Sequence, residues 1–363
     1  MITSKRPIIV EIQEEPNFVD NLEEQIKRIT GDKNSLILNY PSVYIHKWNG
    51  KDDGDKTLYD IYIGESNDII QRTKEHLKRS NEKDKWQKHL IKDEDKPSMF
   101  IIGHPHFNKS LTLDIENRLI HYAMGMNTIR KIHNARGNPQ NDYYSANELD
   151  SIFDKVWDSL RFKNKNLFVS KEEIRDSAIF KASPFHKLNK QQLDAKNKII
   201  AKINEAMKSK KSGQLIFVNG EAGTGKTVLI SSTFYDVVCK QIESLGRGNV
   251  SCALIVNHNE QLVVYEEMVK KLGLNSECQE ELVYKPTRFI NKHSPTNPID
   301  IAFIDEGHLL LTQKGRAYGG TNQLDDIIKM SKIVVCVYDE NQVLTSEEMW
   351  EQEKLQEKKN ISI

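Results

Sequence analysis

The stretch LIFVNGEAGTGKTVLIS, residues 215–231, joins an apolar run to a glycine-rich loop and then to a helix-forming segment. Its central part, GEAGTGKT (220–227), fits the pattern G-x-x-x-x-G-K-[ST] in the strand–loop–helix context that this pattern requires. Glycines let backbone amides wrap around phosphate groups, and the amino-terminal end of the following helix adds a favourable dipole. The stretch therefore predicts a binding site for the phosphates of ATP.

Every residue of this loop is a candidate nucleotide contact: Gly220, Glu221, Ala222, Gly223, Thr224, Gly225, Lys226 and Thr227. By the same pattern, Lys226 is expected to reach the β- and γ-phosphates and Thr227 to hold magnesium.

Four apolar runs surround the loop, and helical segments separate them. They read QLIFVNG, SCALIVNH, IDIAFIDEG and SKIVVCVYDE. Near-continuous apolar strands that alternate with helices are typical of a parallel sheet covered on both faces. The carboxyl-terminal half is therefore predicted to be an α/β domain with a parallel sheet.

The run IDIAFIDEGH (299–308) places two acids at the carboxyl end of a strand, where an open α/β sheet binds its ligands. ATP hydrolysis requires one acid for magnesium and one base for water. We expect Asp305 to hold magnesium and Glu306 to activate water. His308 ends this box and is expected to link it to later residues, although packing alone would also explain it.

Four such motifs, in this order, resemble the first RecA-like domain of superfamily 1 helicases over residues 184–345. LNKQQLDA (188–195) is similar to the adenine-reading motif, with Gln192 as its glutamine. DEGH resembles the DExx box. YDENQ (338–342) resembles the third motif, and the resemblance implies that Gln342 senses the γ-phosphate and couples it to nucleic acid.

The resemblance implies a second RecA-like domain that supplies arginines to the γ-phosphate. About twenty residues follow Gln342, and the sequence predicts that no second domain fits there. Either the chain is then a truncated or fragmentary form, or the missing arginine is expected from a partner chain or from self-association. Arg316 is an available basic residue, but a solvated loop is the preferred interpretation.

The amino-terminal half carries a different set of reactive residues. SVYIHKW (42–48), TLYDIYIG (57–64) and PSMFIIG (97–103) are predicted strands, with helices at 67–79 and 110–125. The reactive side chains are Tyr44, Tyr62, Arg72, His76, Glu116 and Asn134. Phosphodiester cleavage needs a base, a cation against the phosphate and a carboxylate for metal. This set offers all three.

These residues resemble the GIY-YIG endonuclease family, with SVY as the first triplet and YIG (62–64) as the second. The resemblance implies that Tyr44 activates water and that Tyr62 and His76 assist proton transfer. Arg72, ten residues after Tyr62, would stabilise the phosphate, and Glu116 would bind Mg²⁺ or Mn²⁺. Asn134 matches the late asparagine of the family. Ser42 replaces the usual glycine, and a longer loop joins the two triplets.

The composition excludes several classes of protein. Hydrophobic residues make up 38% and charged residues 29% of the 363 residues, and the formal net charge is zero. No apolar run approaches the roughly 20 residues of a membrane span, and the amino terminus does not resemble a signal peptide. The four cysteines have no CxxC spacing. We expect a cytoplasmic protein with reduced thiols and no membrane partner.

The combined expectation is a two-domain protein of α/β and α+β class, in which a small GIY-YIG sheet domain precedes a RecA-like P-loop domain. The predicted segments are an extension at 1–40, a nuclease at 41–145, a connector at 146–183 and an ATPase at 184–363. A strand followed by a turn at LFVSKEEI, and a long amphipathic helix with its entry loop over 183–211, are also expected. The predicted function is a metal-dependent DNA endonuclease, with RNA as an open alternative substrate, coupled to ATP binding. The other interpretation is an ATP-dependent nucleic-acid-binding switch with a degenerate GIY-YIG module.

Overall fold

The computed structural model of the chain describes most of its residues: 6–15, 17–50, 57–79, 86–134, 143, 146–209, 211–239, 250–275, 281–315, 317–339 and 361–362. The chain forms two compact units. The first comprises Met1–Phe180 with Lys271–Gly273, and the second comprises Lys181–Lys270 with Leu274–Ile363. Both are of mixed α/β character.

A five-stranded sheet forms the centre of the first unit, in the order β1-β4-β2-β3-β5. Its strands are β1 (Ile8–Gln13), β2 (Ser42–Asn49), β3 (Tyr59–Ser66), β4 (Ser98–Gly103) and β5 (Ile129–Ile132). All neighbours are antiparallel except β3 and β5, which run parallel.

The helices of the chain are numbered in order. They are α1 (Leu22–Thr30), α2 (Ser35–Leu38), α3 (Ile69–Lys78), α4 (Lys109–Met124), α5 (Leu149–Lys163), α6 (Lys171–Asp176), α7 (Ala178–Ala182), α8 (Lys190–Ser209), α9 (Lys226–Cys239), α10 (Asn259–Lys271), α11 (Pro286–Lys292) and α12 (Gln323–Lys329). Short 3-10 turns occur as well, one of them at Trp86–Ile91. No helix in the described parts of the chain has both the length and the apolar character needed to cross a membrane.

Local sequence explains where the two helices next to the reactive residues begin. Asp68 caps α3 by accepting a hydrogen bond from the Gln71 amide at 2.9 Å. Asn108 caps α4 in the same way through the Leu111 amide. Short polar side chains at this position satisfy amides that the helix leaves unpaired, so both helices start close to the predicted residues.

The segment predicted as an extension contributes a strand to the first sheet. β1 pairs with β4 over six residues, from Ile8 opposite Gly103 to Gln13 opposite Ser98. Val10 and Ile12 of β1 are buried in the same core cluster as Tyr44 and Tyr62. The short strand at IIVEI was predicted, but its pairing partner lies about ninety residues away in the chain, too far for local pattern to indicate.

The strand predicted at LFVSKEEI is wrong. Leu167 and Phe168 are buried without strand structure, and α6 begins at Lys171. Ser170 accepts a hydrogen bond from the Glu173 amide at 3.2 Å. A serine followed three residues later by glutamate starts a helix, and this local capping overrides the apolar pair before it.

A six-stranded parallel sheet forms the centre of the second unit, in the order β11-β6-β10-β9-β7-β8. Its strands are β6 (Gln214–Asn219), β7 (Cys252–Ile255), β8 (Val283–Tyr284), β9 (Ile299–Ile304), β10 (Ser331–Tyr338) and β11 (Ile361–Ser362). The predicted parallel sheet is confirmed. Because β6, β10 and β9 are neighbours, the loops that follow all three meet at one edge of the sheet.

Candidate active sites

Tyr44 and Gly64 lie opposite each other on the paired strands β2 and β3. A Cβ atom on Gly64 would lie 2.5 Å from the Tyr44 hydroxyl oxygen and 3.0 Å from a ring carbon of Tyr62. No side chain fits at such distances, so glycine at this position allows the Tyr44 hydroxyl to lie directly over the backbone of β3. The glycine of YIG therefore has a steric role.

The Tyr44 hydroxyl contacts two side chains of helix α3. Its oxygen lies 2.9 Å from His76 Nε2, and Arg72 Nε donates to it at 3.3 Å. The i and i+4 spacing places Arg72 and His76 on one helical face. Since the Tyr44 oxygen accepts from Arg72, its own proton can be donated to His76 Nε2.

Burial sets the protonation of this pair. It raises the pKa of Tyr44 well above its ordinary value, with a further increase from Tyr62 and an opposing effect of the hydrogen bond from Arg72. Burial also lowers the pKa of His76 to about 2, and repulsion from His46 and Arg72 acts in the same direction. At neutral pH the tyrosine is protonated and the histidine is neutral, as required for a hydroxyl that donates to a base.

Tyr62 lies beside this pair and is covered by a tryptophan. Its ring is 5.0 Å from that of His76, edge to face, and it stacks on Trp86 with centroids 4.1 Å apart. Trp86 also contacts His76, at 5.0 Å. Nothing in the local sequence of Trp86 indicates that it packs on these rings, so the sequence did not predict it as part of the site.

Glu116 and Asn134 form a second group close to the first. Asn134 Nδ2 donates both to Glu116 Oε1 at 3.0 Å and to the backbone oxygen of Ile63 at 2.7 Å. Ile63 stands between Tyr62 and Gly64, so the asparagine ties the glutamate to the YIG segment. The six predicted side chains are thus brought into two hydrogen-bonded groups that share strand β3.

Glu116 has the donor chemistry for a hard cation. Its carboxylate is partly exposed, and magnesium is often held by one carboxylate together with waters and substrate phosphates. Among the residues that the structure describes, no group of three or more His, Cys, Asp or Glu side chains is arranged to hold a metal. The Glu116 carboxylate therefore has the chemistry to bind a cation that is shared with a phosphate substrate.

In the second unit, the glycine-rich loop lies between β6 and α9. Gly223 and Gly225 have φ of 79° and 81°, which L-residues other than glycine rarely adopt. Helix α9 begins at Lys226, so the helical amides face the loop. Glu221, Ala222 and Gly223 are exposed. The loop has the open, amide-lined form that suits phosphate.

Lys226 is held inside the loop by three acceptors. Its Nζ donates to the backbone oxygens of Gly220 and Glu221, both at 2.9 Å, and forms a 2.8 Å ion pair with Asp339. Asp339 directly follows β10, the strand next to β6. The Asp339 carboxylate is therefore paired with the lysine that the sequence pattern predicts to bind nucleotide phosphates.

Asp305 and Glu306 follow β9 at the same edge of the sheet. Asp305 Oδ2 accepts from the Tyr265 hydroxyl at 2.8 Å, and Asp305 also accepts from the Thr227 hydroxyl. Burial, together with the charge of Glu306, raises the pKa of Asp305 to about 6. The two predicted magnesium residues, Thr227 and Asp305, are in contact. The sequence did not predict the contact of Tyr265, on α10, with Asp305, since a tyrosine inside an amphipathic helix is usually a packing residue.

A short network joins Glu306 to Lys226. Glu306 lies 3.0 Å from His308 Nε2, and this hydrogen bond lowers the pKa of Glu306. His308 Nδ1 accepts from the Asp339 amide at 3.4 Å, and Asp339 pairs with Lys226. His308 therefore connects the DExx box to Asp339, which belongs to the third motif, YDENQ (338–342).

Gln192 contacts the loop from helix α8. Its Nε2 donates to the Thr224 backbone oxygen at 2.7 Å, and its Oε1 accepts from the Asn189 amide at 2.9 Å. Both ends of the amide are therefore engaged. Gln342 and Arg316 lie outside the described residues.

The parallel sheet, the glycine-rich loop and the acids beside it define a P-loop nucleotide-binding class of domain. Residues 213–362 match the family model described as "Schlafen group 3, DNA/RNA helicase domain". This match indicates a helicase-like P-loop domain, the class expected of a nucleic-acid-binding ATPase. It lies entirely after residues 42–134, which carry the tyrosine–arginine–histidine cluster.

A curated relative is the uncharacterized protein YPL245W of Saccharomyces cerevisiae. It is 30% identical over 146 residues, which is 38% of this chain. The chain spans 31% of the yeast protein, about a third of its length.

Proposed function

We propose that this chain is a metal-dependent DNA endonuclease of GIY-YIG type joined to an ATP-binding, helicase-like domain. The observation that carries the nuclease is the position of the Tyr44 hydroxyl, which lies over Gly64 between Arg72 Nε and His76 Nε2. Residues 41–145 would form the nuclease, with β1 added from the segment before it. Residues 146–183 would connect it to the ATPase at 184–363.

Each nuclease residue has a defined task in this proposal. His76 accepts the hydroxyl proton of Tyr44 as the Tyr44 oxygen takes a proton from the attacking water. The side chain of Arg72 is 35% exposed, so its guanidinium can reach a phosphate and neutralise developing charge. Asn134 orients Glu116, which would hold Mg²⁺ or Mn²⁺. A cation there would polarise the phosphate.

The ATPase residues divide the work at the other site. Lys226 would leave Asp339 to bind the β- and γ-phosphates, Thr227 and Asp305 would hold magnesium, and Glu306 would activate water. Gln192 reads the adenine, and Gln342 would report on the γ-phosphate. An arginine for the γ-phosphate would come from a partner chain or from a second copy. By analogy, ATP-governed cutting fits restriction of foreign DNA.

Nicking of supercoiled plasmid DNA in Mn²⁺ tests the nuclease. The parent protein should convert the plasmid to open circles, and Glu116→Ala and Arg72→Ala should each lose this activity. Glu24 and Arg28, exposed on α1, provide matched controls: Glu24→Ala and Arg28→Ala should nick like the parent. Nicking that persists in Glu116→Ala would show that the activity belongs to a contaminant or to another site.

A separate assay tests the ATPase. ATP hydrolysis stimulated by single-stranded DNA, and lost in Lys226→Ala, would favour helicase-like coupling to nucleic acid. Hydrolysis that ignores nucleic acid would contradict it.

One observation favours a second candidate function. Tyr44 is fully buried, with 0% of its surface exposed, and a water-activating hydroxyl must meet water. The first unit would then be a nucleic-acid-binding module and the chain an ATP-dependent switch. Parent protein that binds duplex DNA but leaves plasmid intact in Mg²⁺ and Mn²⁺ would support this candidate.

A further inference from the structure

A buried glutamate and a buried histidine lie behind the Tyr44–His76 pair. Glu14 directly follows the edge strand β1, where its amide donates to the Pro97 backbone oxygen at 3.0 Å. His46 lies on β2, two residues after Tyr44. Glu14 Oε1 is 2.5 Å from His46 Nδ1, and both side chains are 0% exposed. Neither residue has a role in the nuclease chemistry above.

The imidazole of His46 packs directly on the reactive cluster. Its ring centroid is 5.6 Å from that of His76, at an interplanar angle of 85°, and 5.4 Å from that of Tyr44. Rings this close allow the two imidazoles to hydrogen-bond after a change of ring orientation, or through one bridging water. A hydrogen bond between a nitrogen of His46 and a nitrogen of His76 would therefore connect the two side chains.

Those nitrogens have no other partner in the described parts of the chain. His76 uses Nε2 for Tyr44 and leaves Nδ1 without a hydrogen bond, and His46 uses Nδ1 for Glu14 and leaves Nε2 without one. Buried polar atoms are normally satisfied. The two unpaired nitrogens lie on adjacent rings, between the Tyr44–His76 pair and the His46–Glu14 pair. A hydrogen bond between them would link the two pairs during the reaction.

Stability does not explain why this pair is kept. Removing a carboxylate and an imidazole from water costs free energy that one hydrogen bond repays only in part. An apolar pair of similar size would pack at these two positions without this cost. The pair is thus more readily explained by chemistry at the neighbouring histidine.

We propose that Glu14 and His46 form a proton relay that takes the proton from His76 during strand cleavage; this inference rests on the proposed nuclease. The row of atoms runs from the Tyr44 hydroxyl to His76, then to His46, and ends at the Glu14 carboxylate.

Each group in the row before Glu14 gives up one proton and takes up another, so that only Glu14 gains one. As the water oxygen bonds to phosphorus, water gives its proton to the Tyr44 oxygen, and the Tyr44 hydroxyl proton passes to His76 Nε2. The Nδ1 proton of His76 passes to His46 Nε2, and the Nδ1 proton of His46 passes to Glu14. Both imidazoles end neutral, and Glu14 ends as a carboxylic acid. The leaving oxygen, whose bond to phosphorus breaks, takes a proton from bulk water, and Glu14 returns its proton by the reverse path.

The surrounding charges favour moving the proton onward. The titratable and charged groups that face the row are Tyr44, Lys47, Tyr62, Arg72 and Arg79. Arg72 and Arg79 both disfavour a charged His76, whereas the Glu14 carboxylate can accept the proton and become neutral. Because a charged His76 is disfavoured, a proton that reaches His76 is expected to pass on to His46 and Glu14.

Plasmid nicking by the full chain in Mn²⁺, followed from pH 6 to pH 9, tests the relay. Glu14→Gln keeps an oxygen that accepts from His46 Nδ1 but cannot take a proton. Nicking by Glu14→Gln should fall by about 100-fold or more at pH 7, the usual contribution of general base catalysis. The deficit should narrow as pH rises, because hydroxide replaces the lost acceptor. Glu15→Gln removes the same charge from the exposed neighbour and should match the parent.

A second variant protects the test against misfolding. His46→Asn keeps an amide that donates to Glu14 but has no second ring nitrogen, so it should show the same loss and the same pH dependence. Tryptophan fluorescence during urea unfolding shows whether each variant is folded. Folded variants with nicking within two-fold of the parent and an unchanged pH profile would overturn the relay alone. A parent that does not nick would overturn the nuclease and the relay together.

Discussion

Lys226 of the phosphate loop and Asp339 at the end of β10 form a buried ion pair, with Nζ 2.8 Å from Oδ2. Their side chains are 7% and 1% exposed. In the proposed ATPase, a phosphate group would have to displace this internal carboxylate to reach Lys226, and the carboxylate lies beside His308 and Glu306. Binding of phosphate at Lys226 would therefore change the charge that Glu306 meets at the other end of this network.

Substitution of either partner should reveal this coupling. Lys226→Met leaves the Asp339 carboxylate buried without a counter-ion, which we expect to cost about 3–5 kcal/mol of unfolding free energy. The double variant Lys226→Met/Asp339→Asn should recover a large part of that loss. Urea unfolding followed by circular dichroism measures the cycle.

The pair Lys27 and Glu23, 52% and 56% exposed, is the control for this cycle, and its coupling should be at most about 0.5 kcal/mol. Additive losses at Lys226 and Asp339 would contradict a strong buried pair.

Asp305→Asn should stabilise the second unit while abolishing ATP hydrolysis. Burial raises the pKa of Asp305 to about 6 in the folded protein, whereas an unfolded aspartate has a pKa of about 3.9. At pH values above 3.9, the unfolded chain therefore loses this proton more readily than the folded protein does. Its ionisation therefore costs stability at pH 7, and removing it should raise the unfolding free energy by about 1–3 kcal/mol. Urea unfolding at pH 7 and ATPase assays measure the two effects.

Asp300 lies on β9, the strand that Asp305 directly follows, and its substitution is a control that should change stability in the opposite direction. Hydrogen bonds from Lys332 and Ser251 outweigh burial and lower the pKa of Asp300. Asp300→Asn should therefore reduce stability at pH 7. Two variants that shift stability in the same direction would show that charge burial is not the cause.

Tyr44→Phe should separate chemistry from folding in the first unit. It removes the hydroxyl that contacts His76 and Arg72, so plasmid nicking should fall by about 100-fold or more. The unfolding free energy should fall by only about 1–2 kcal/mol, since one buried hydrogen-bonding group is lost. Tyr59→Phe, on the same strand pair and partly exposed, should retain activity. Equal losses of nicking activity in Tyr44→Phe and Tyr59→Phe would contradict a specific catalytic role for Tyr44.

Gly64→Ala should displace the Tyr44 ring. The added methyl group would lie 2.5 Å from the Tyr44 oxygen and 2.6 Å from its ring carbon, and overpacking of this kind typically costs 1–3 kcal/mol. Nicking should be lost along with part of the stability. Gly319→Ala is the matched control, because its Cβ would meet nothing within 4 Å. A fully active Gly64→Ala protein would show that the hydroxyl can work from another position.

His76 should make the first unit sensitive to acid. Its pKa is lowered to about 2 in the folded protein, against about 6.5 when unfolded. Below pH 6.5 the unfolded state binds a proton that the folded state refuses, so stability falls as pH falls. Relative to His76→Gln, the parent should lose up to about 1.4 kcal/mol per pH unit.

Tryptophan fluorescence suits this measurement, because Trp48, Trp86 and Trp157 belong to the first unit. His258→Gln, at an exposed position of the second unit, should follow the pH dependence of the parent. Parallel curves for the parent and His76→Gln would contradict the burial of a neutral His76.

Local sequence predicted the elements wherever a short-range rule governs them. The glycine-rich loop, the apolar strands β6, β7, β9 and β10, and the helices α3 and α4 follow from neighbouring residues. The errors also have local causes. The serine cap at Ser170 was read as the end of a strand, and β5 is too short, at four residues, to give a recognisable pattern.

The candidate sites were predicted as sets of residue types, without the contacts that govern them. Arg72 and His76 were correctly placed on one helical face, because helical periodicity is fixed. The pairing of Lys226 with Asp339 and of Asp305 with Tyr265 joins residues 113 and 40 positions apart. No pattern of neighbouring residues specifies such pairs.

The sequence by itself determined the chemistry available to this protein: a phosphate loop with its acids, and tyrosines, arginine, histidine and glutamate in a fixed order. Those features depend on residue type and on spacing within one helical turn or one strand. Backbone geometry fixes these spacings in every helix and strand. The tertiary structure alone decided the state of those groups. Burial between strands and helices that are distant in the chain removes Tyr44, His76 and Asp305 from water, and desolvation sets their protonation. It also brings Glu14 and His46 behind His76, which no local rule could place there.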